Sequence, residues 1–268
     1  MKAKVEILND SIIKYNTAKF STGLEWVTEF LSINHNREVR VYSWYKEESQ
    51  ESLLIPKAYE ITPKHLKIEK LIEKEVDIGV SELIPSIKEF IQLGQNKKIN
   101  FYDFISSPVQ SVLRGLITNA RFLGVRVIFQ ALKHLFTLYT NKPKKSGTYL
   151  IHKDLKKDQN MMATNNGVYF IDFGSSILTK YFFLTDIVEL ATDHKTYTVD
   201  FDIIENLIKE LGAINYNSKF LKSQIYLLLL RRYLHFHPID RANKIKMTNA
   251  KKFLINLDSL VSTFREKS

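Results

Sequence analysis

"YLIHKDLKKDQNMMATNNGVYFIDFG", residues 149–174, sets two short apolar runs on either side of a polar, amide-rich centre. One run, "YLIHKDL", leads to Asp154; the other, "VYFIDFG", leads to Asp172 and then to Phe173 and Gly174. The pattern predicts short strands closed into a tight hairpin, with a carboxylate where each apolar run ends. A solvated hairpin has no use for that set: a histidine, two aspartates and intervening amides. A carboxylate at the end of a buried strand can instead hold a hard cation that bridges phosphates, and Gly174 lets the chain turn away sharply. Asp154 is placed to accept a hydrogen bond from a hydroxyl and aim it at a phosphorus atom, a step that needs position more than basicity. Lys156 follows within reach of a transferring phosphate, and His152 reads as a structural histidine. Alone, each is weak, because Asp before Gly is an ordinary turn. Their order within one stretch is what points to a magnesium-nucleotide site.

Around this stretch lie 268 residues, 44% hydrophobic and 25% charged, enough for a substantial core in one large domain or two lobes. The absence of cysteine excludes disulfides and thiolate metal sites. Charges inside "MKAKVEILND" are wrong for a signal peptide, and "IYLLLLRR" is too short to span a bilayer, so a cytoplasmic protein is expected, with the inner membrane face as a second place. Lys and Arg number 39 against 29 Asp and Glu, a net charge of +10. That excess suits an anionic partner, either a ligand or an acidic membrane surface; there is no clear nucleic-acid motif.

The first part of the chain reads as mixed. "REVRVYSWYK" (37–46) alternates like a strand, and "LLIPKAY" (53–59) reads as a second strand pairing back on it. "TPKHLKIEKLIEKEV" carries a Thr-Pro helix start, and "IPSIKEFIQLGQNKKINFYDFI" reads as strand, turn, strand. From about residue 107 helical periodicity dominates, with Ile128, Leu132, Leu135 and Phe136 spaced to face a core. Expected domains are therefore a nucleotide-binding lobe at 1–106, with an N-terminal extension at 1–25, and a helical lobe at 107–268. A ligand is expected in a cleft between the lobes.

"HKDLKKDQN" followed by "IDFG" resembles the catalytic and metal-binding loops of the protein-kinase-like superfamily, where His-x-Asp-Leu-x-x-x-Asn precedes Asp-Phe-Gly. The resemblance implies an α+β, two-lobed protein-kinase-like fold, with a small strand-rich N-lobe bearing one long helix and a mostly helical C-lobe. It implies ATP and Mg²⁺ as cofactors, Asp154 as the aspartate facing the acceptor hydroxyl, Asp172 as the main metal ligand and Asn160 as the second. The family places its Asn five residues after the Asp, where this chain has Gln159. Asn160 is favoured because "NMM" repeats the Asn-plus-two-apolar start of the next strand, with Gln159 as the other choice. By the same resemblance Lys57 would hold the α- and β-phosphates, paired with Glu73 or, one helical turn earlier, Glu69. Ser32, Asn34 and Asn36 stand where a phosphate-covering loop would carry glycines. Tyr102, Asp103 and Phe104 would form the hinge that meets adenine.

After Gly174 the chain reaches Asp186 quickly, without the long activation segment or Ala-Pro-Glu of regulated protein kinases. This resembles the aminoglycoside phosphotransferase and choline kinase branch, which implies phosphate transfer to a small molecule. Lys142, Lys144, Lys145, Lys153, Lys156, Lys157, Arg231 and Arg232 would repel a polycationic antibiotic. They favour a neutral or anionic hydroxyl acceptor such as a sugar or a glycan linked to lipid or lipopolysaccharide. An atypical protein kinase and a kinase-shaped pseudoenzyme are the alternatives.

Overall fold

A computed structural model describes residues 4–16, 33–48, 52–75, 78–143, 147–155, 160–193, 198–212, 216–234 and 244–264. In chain order these form β1 (Lys4–Ile7), β2 (Ser11–Tyr15), α1 (Ile33–Glu47), β3 (Ala58–Ile61), β4 (His65–Glu69), a 3₁₀ turn (Val80–Leu83), α2 (Ile84–Gln92), α3 (Phe101–Ile105) and α4 (Pro108–Thr140). Then follow β5 (Tyr149–Ile151), β6 (Met161–Thr164), β7 (Gly167–Phe170), a second 3₁₀ turn (Phe173–Ser175), β8 (Ile177–Thr179), α5 (Thr185–Leu190), α6 (Phe201–Glu210), α7 (Ser218–Leu234) and α8 (Lys244–Ser262). The chain divides into two compact units, Met1–Gly94 with Leu150–Ile177, and Gln95–Tyr149 with Leu178–Ser268. The units do not follow a single boundary at residue 106, since the hairpin after β5 belongs with the N-terminal sheet.

The first unit is built on an antiparallel sheet in the order β1-β2-β4-β3. Residues 4–15 are thus two of its four strands and not an extension; Lys14 lies opposite Val5 on one side and Leu66 on the other. "HLKIE" forms β4 where a helix was expected: Leu66 and Ile68 are buried and their neighbours partly exposed, the period-two pattern of a strand. The reverse happens at 33–47. There "NREVRVYSW" has the alternation and β-branched content of a strand, yet it forms α1, because the residues that bury are Arg37, Glu38, Val41 and Tyr42. Positions i, i+1, i+4 and i+5 share a face only in a helix. The expected strand at 84–92 is likewise helix α2, with a proline in its first turn and Ile84, Ile87, Phe90 and Ile91 turned inward. In "LLIPKAY" the sheet begins only at Ala58; Leu54 bridges to Tyr169 instead.

The second unit is helical, as expected. "IYLLLL" is the middle of α7, where Ile225 through Leu230 are all buried, so its uninterrupted apolarity reflects burial on every side. Among the described residues no helix is long and apolar enough to cross a membrane. α4 is interrupted at Gly124, whose φ of 74° and ψ of 153° break the helix into two segments. Gly115, in the first segment, lies against the end of α7: a Cβ there would stand 2.7 Å from Leu234 Cδ1 and 2.9 Å from its Cβ. Gly115→Ala should therefore destabilise by about 1–3 kcal/mol despite its better helix propensity. Urea unfolding would register this as a lower midpoint at unchanged slope; an unchanged or higher midpoint would mean the helices separate at no cost.

Candidate functional site

The site lies within the first unit and starts from the β6–β7 hairpin. Met161 pairs with Phe170 and Met162 with Tyr169, so β7 closes a hairpin on β6 and not on the run that leads to Asp154, as the sequence had suggested. One residue beyond the ladder, the Ile171 amide donates to the Asn160 carbonyl at 3.1 Å. This brings the start of β6 beside the residue before Asp172. Asn160 is buried, and its Nδ2 donates to the backbone carbonyl of Asp154. One amide side chain thereby ties the loop carrying Asp154 to the hairpin carrying Asp172, leaving Oδ1 as its oxygen donor.

Two of the three non-glycine residues with positive φ among those described flank these groups: Lys153 at 69° and Asp172 at 61°. Such backbone costs about 1–3 kcal/mol and persists where surrounding packing fixes it. The packing here is aromatic. Phe173 is fully buried; it stacks on Phe90 at 5.7 Å, meets Tyr42 edge-on at 5.5 Å and lies 5.3 Å from the His152 ring. With Phe173 held by α1, α2 and the strand end, Asp172 is left 64% exposed at its side chain. His152 is completely buried, and its Nε2 bonds the Ile171 carbonyl at 2.9 Å, so the neutral ring donates its proton there. Burial holds its pKa below the ordinary histidine value, with the Ile171 carbonyl and the charges of Asp172 and Asp154 opposing. His152 is a structural anchor, as its sequence position suggested.

A group that sequence reasoning missed completes the set. Lys14 of β2 approaches Glu38 of α1 at 2.5 Å, and its Nζ lies 3.9 Å from Asp172 Oδ1. Both partners of the pair are mostly buried, at 17% and 7% side-chain exposure. A lysine this desolvated needs its glutamate, and removal of one partner of such a pair costs several kcal/mol. The signal available was the run "SIIKY", a strand-like apolar run with an inward cation, and a glutamate at the position where a following helix would face it.

Lys57 and its expected partners are not brought together. Lys57 is exposed, with its Nζ over the Tyr59 ring at 5.8 Å, and no ion pair links it to Glu69 or Glu73 among the described residues. The Glu69 carboxylate instead accepts from the Lys57 backbone amide at 3.1 Å, and Glu73 is exposed after β4. Asn34 and Asn36 lie in α1, not in a loop between strands, because that segment buries a helical face. Asn34 packs near Gly174, where an added Cβ would sit 3.3 Å from its own. Tyr102, Asp103 and Phe104 form the short helix α3 in the second unit. The Asn100–Asp103 capping box makes the helix, and Asp103 is buried with its Oδ1 accepting from the Leu178 amide at 3.3 Å. Ser32, Lys156 and Gln159 lie outside the described residues. Arg231, counted among the cations, is buried and donates to Glu189 at 2.7 Å.

Among the described residues no group of three or more His, Cys, Asp or Glu forms a metal-binding cluster. The oxygen donors associated with the hairpin are instead one exposed carboxylate, Asp172, and one buried amide, Asn160. That set fits Mg²⁺, which is held by one or two protein oxygens and completes its shell with water and phosphate. Asn160→Ala should raise the Mg²⁺ concentration needed for half-maximal nucleotide binding, whereas Gln159→Ala should not. Titration of nucleotide at several Mg²⁺ concentrations checks this, and equal effects of the two changes would remove Asn160 from the metal site.

No protein-family profile matches the sequence, and no curated protein matches it. Solved structures do. A GDP and kanamycin complex of the phosphotransferase APH(2″)-IIIa superposes with a TM-score of 0.58 at 10% identity, over 96% of this chain and 90% of that one. A Plasmodium vivax ethanolamine kinase gives 0.52 at 11% identity, over 96% of this chain and 82% of that one. The gentamicin complex of APH(2″)-IIa gives 0.51 at 14% identity, over 96% and 90%. The chain has the α+β protein-kinase-like fold, in the form found in aminoglycoside phosphotransferases and ethanolamine kinase.

Proposed function

We propose that the protein is an ATP-dependent phosphotransferase that moves the γ-phosphate of ATP to a hydroxyl of a small molecule or glycan. The observation that carries this is the Lys14–Glu38 pair set 3.9 Å from Asp172, next to a hairpin whose Asn160 is fastened to Asp154. A lysine fixed by a helix glutamate beside a metal-binding aspartate is the arrangement by which protein kinases hold ATP phosphates. Lys14 takes the role first expected of Lys57: it holds nucleotide phosphates, and Glu38 holds Lys14. Asp172 and Asn160 would hold Mg²⁺, which when bound neutralises charge on the phosphates. Asp154 orients the acceptor hydroxyl and takes its proton as the new oxygen–phosphorus bond forms, the bridging bond of ATP breaks and ADP leaves. Lys156 remains our choice to touch the transferring phosphate.

For the base, the connector after β4 replaces residues 102–104. The Lys70 amide is held by the Asp10 carbonyl at 3.1 Å and the Lys74 amide by the Ala163 carbonyl at 2.9 Å. The backbone of 71–73 is thereby bracketed, and it is offered as the edge that reads adenine. A neutral or anionic acceptor, a sugar or a lipid-linked glycan, is favoured over an aminoglycoside by the net charge of +10. A site of action at the inner membrane face accords with that charge. Transfer of radiolabelled phosphate from ATP to panels of sugars, glycans, amino alcohols, aminoglycosides and proteins tests the reading. Label on a sugar or glycan supports it, label on protein alone makes the chain a protein kinase, and no label with no ATP binding makes it a pseudoenzyme.

A further inference from the structure

The second segment of α4, residues 125–140, is apolar over a wide arc of which only part is covered. Val127, Ala131, Leu135 and Leu138 are buried in the second unit. Along the rest of the arc Val125, Phe129, Leu132, Phe136 and Tyr139 are 85%, 70%, 50%, 71% and 43% exposed. The core-facing set expected from the sequence included Leu132 and Phe136; the structure buries Leu135 and turns those two outward. The outward residues are spaced four, three, four and three apart, which at 3.6 residues per turn keeps them in one stripe. Three large aromatic side chains in one solvent-facing stripe are unusual for a protein that acts alone in water.

Charge decides what covers the stripe. Pro108–Thr140 contains no Asp or Glu but has Arg114, Arg121, Arg126 and Lys133, and Lys142 follows. Arg126 and Lys133 are exposed on one flank of the stripe. A second copy docked through the same face would bring those cations against their own kind, with no carboxylate on the helix to offset them. An anionic lipid surface offers what the face lacks: acyl chains for the aromatic residues and headgroup charge for the flanking cations. We infer that residues 125–140 of α4 form a membrane-docking face that lies in the interface of a bilayer carrying anionic lipid. This stands apart from the phosphotransfer reading and uses none of its residues, so either can fail alone.

The test is flotation of the full chain with vesicles of phosphatidylcholine alone and of phosphatidylcholine with about 30% phosphatidylglycerol, where salt should weaken the charged component. The expected result is at least tenfold stronger binding to the anionic vesicles, reduced at high salt. Phe129→Ser with Phe136→Ser should lose most of that binding. Arg126→Gln with Lys133→Gln should weaken it by about 25-fold, near fivefold per charge. Both pairs replace exposed side chains, so thermal unfolding should match the parent and separate lost docking from lost fold. Absence of flotation, or flotation unchanged in both variants, overturns the inference. So does a stable dimer that the Phe129→Ser, Phe136→Ser pair dissociates, which would assign the face to a second copy.

Discussion

Asp154→Asn should reduce phosphate transfer by about 10²–10⁴-fold, the usual contribution of a positioned acid–base group, while nucleotide affinity stays within about twofold. The change preserves shape but removes the charge that orients the acceptor hydroxyl and receives its proton. The loop should keep its place, because Asn160 is fastened to the backbone carbonyl of residue 154 and not to its side chain. Asp172→Asn should act differently. Its carboxylate is exposed beside Lys14 and is assigned to the metal, so both Mg²⁺-dependent nucleotide binding and transfer should fall. Calorimetric titration of ATP with and without Mg²⁺, paired with transfer to the acceptor found by screening, separates the two cases. If Asp154→Asn kept the parent turnover, the hydroxyl would be activated by some other group.

The short strands around Asp154 and Asp172 were legible, though not their pairing, because their chemistry is local. His152, Asp154, Asn160, Asp172 and Gly174 lie within 23 residues of one another, and the apolar runs around them could only be short strands. The helices of the second unit were legible for a similar reason: α6 repeats apolar residues at helical spacing, and α7 carries a long apolar run that is buried. The N-terminal half was misread where propensity and burial disagree. Val39, Val41 and Tyr42 favour a strand intrinsically, yet the fold needs Glu38 and Tyr42 on one face, toward Lys14 and Phe173 respectively. Tertiary contact overrode propensity there. Reading 37–46 as a strand places the phosphate-binding lysine on the next strand, at Lys57. Lys14 does not stand out in the sequence, because a pair formed across 24 residues leaves no spacing rule there. The outward stripe on α4 was hidden for a related reason, since periodicity identifies apolar faces but not which of two is covered.

Lys14→Met should lower transfer by about 10²–10³-fold, the scale of losing one fixed electrostatic contact to a developing anion, whereas Lys57→Met should leave it within about twofold. The two lysines both sit in the N-terminal sheet region, but their surroundings differ. Lys14 is largely desolvated and held by Glu38 at 2.5 Å beside Asp172; Lys57 is exposed against Tyr59. Glu38→Gln should give an intermediate loss, since the amide still fills the space but no longer fixes the cation. A change at Lys14 leaves Glu38 buried without its partner, so stability must be followed alongside activity. Lys14→Arg supplies that control: it keeps the charge for Glu38 while displacing the donor from its place near Asp172. A folded Lys14→Arg protein with impaired transfer, together with an active Lys57→Met, is the expected pair of results. The opposite pair, an active Lys14→Arg and Lys14→Met with a dead Lys57→Met, would return the phosphate-binding role to Lys57 and make the Lys14–Glu38 pair a purely structural tie.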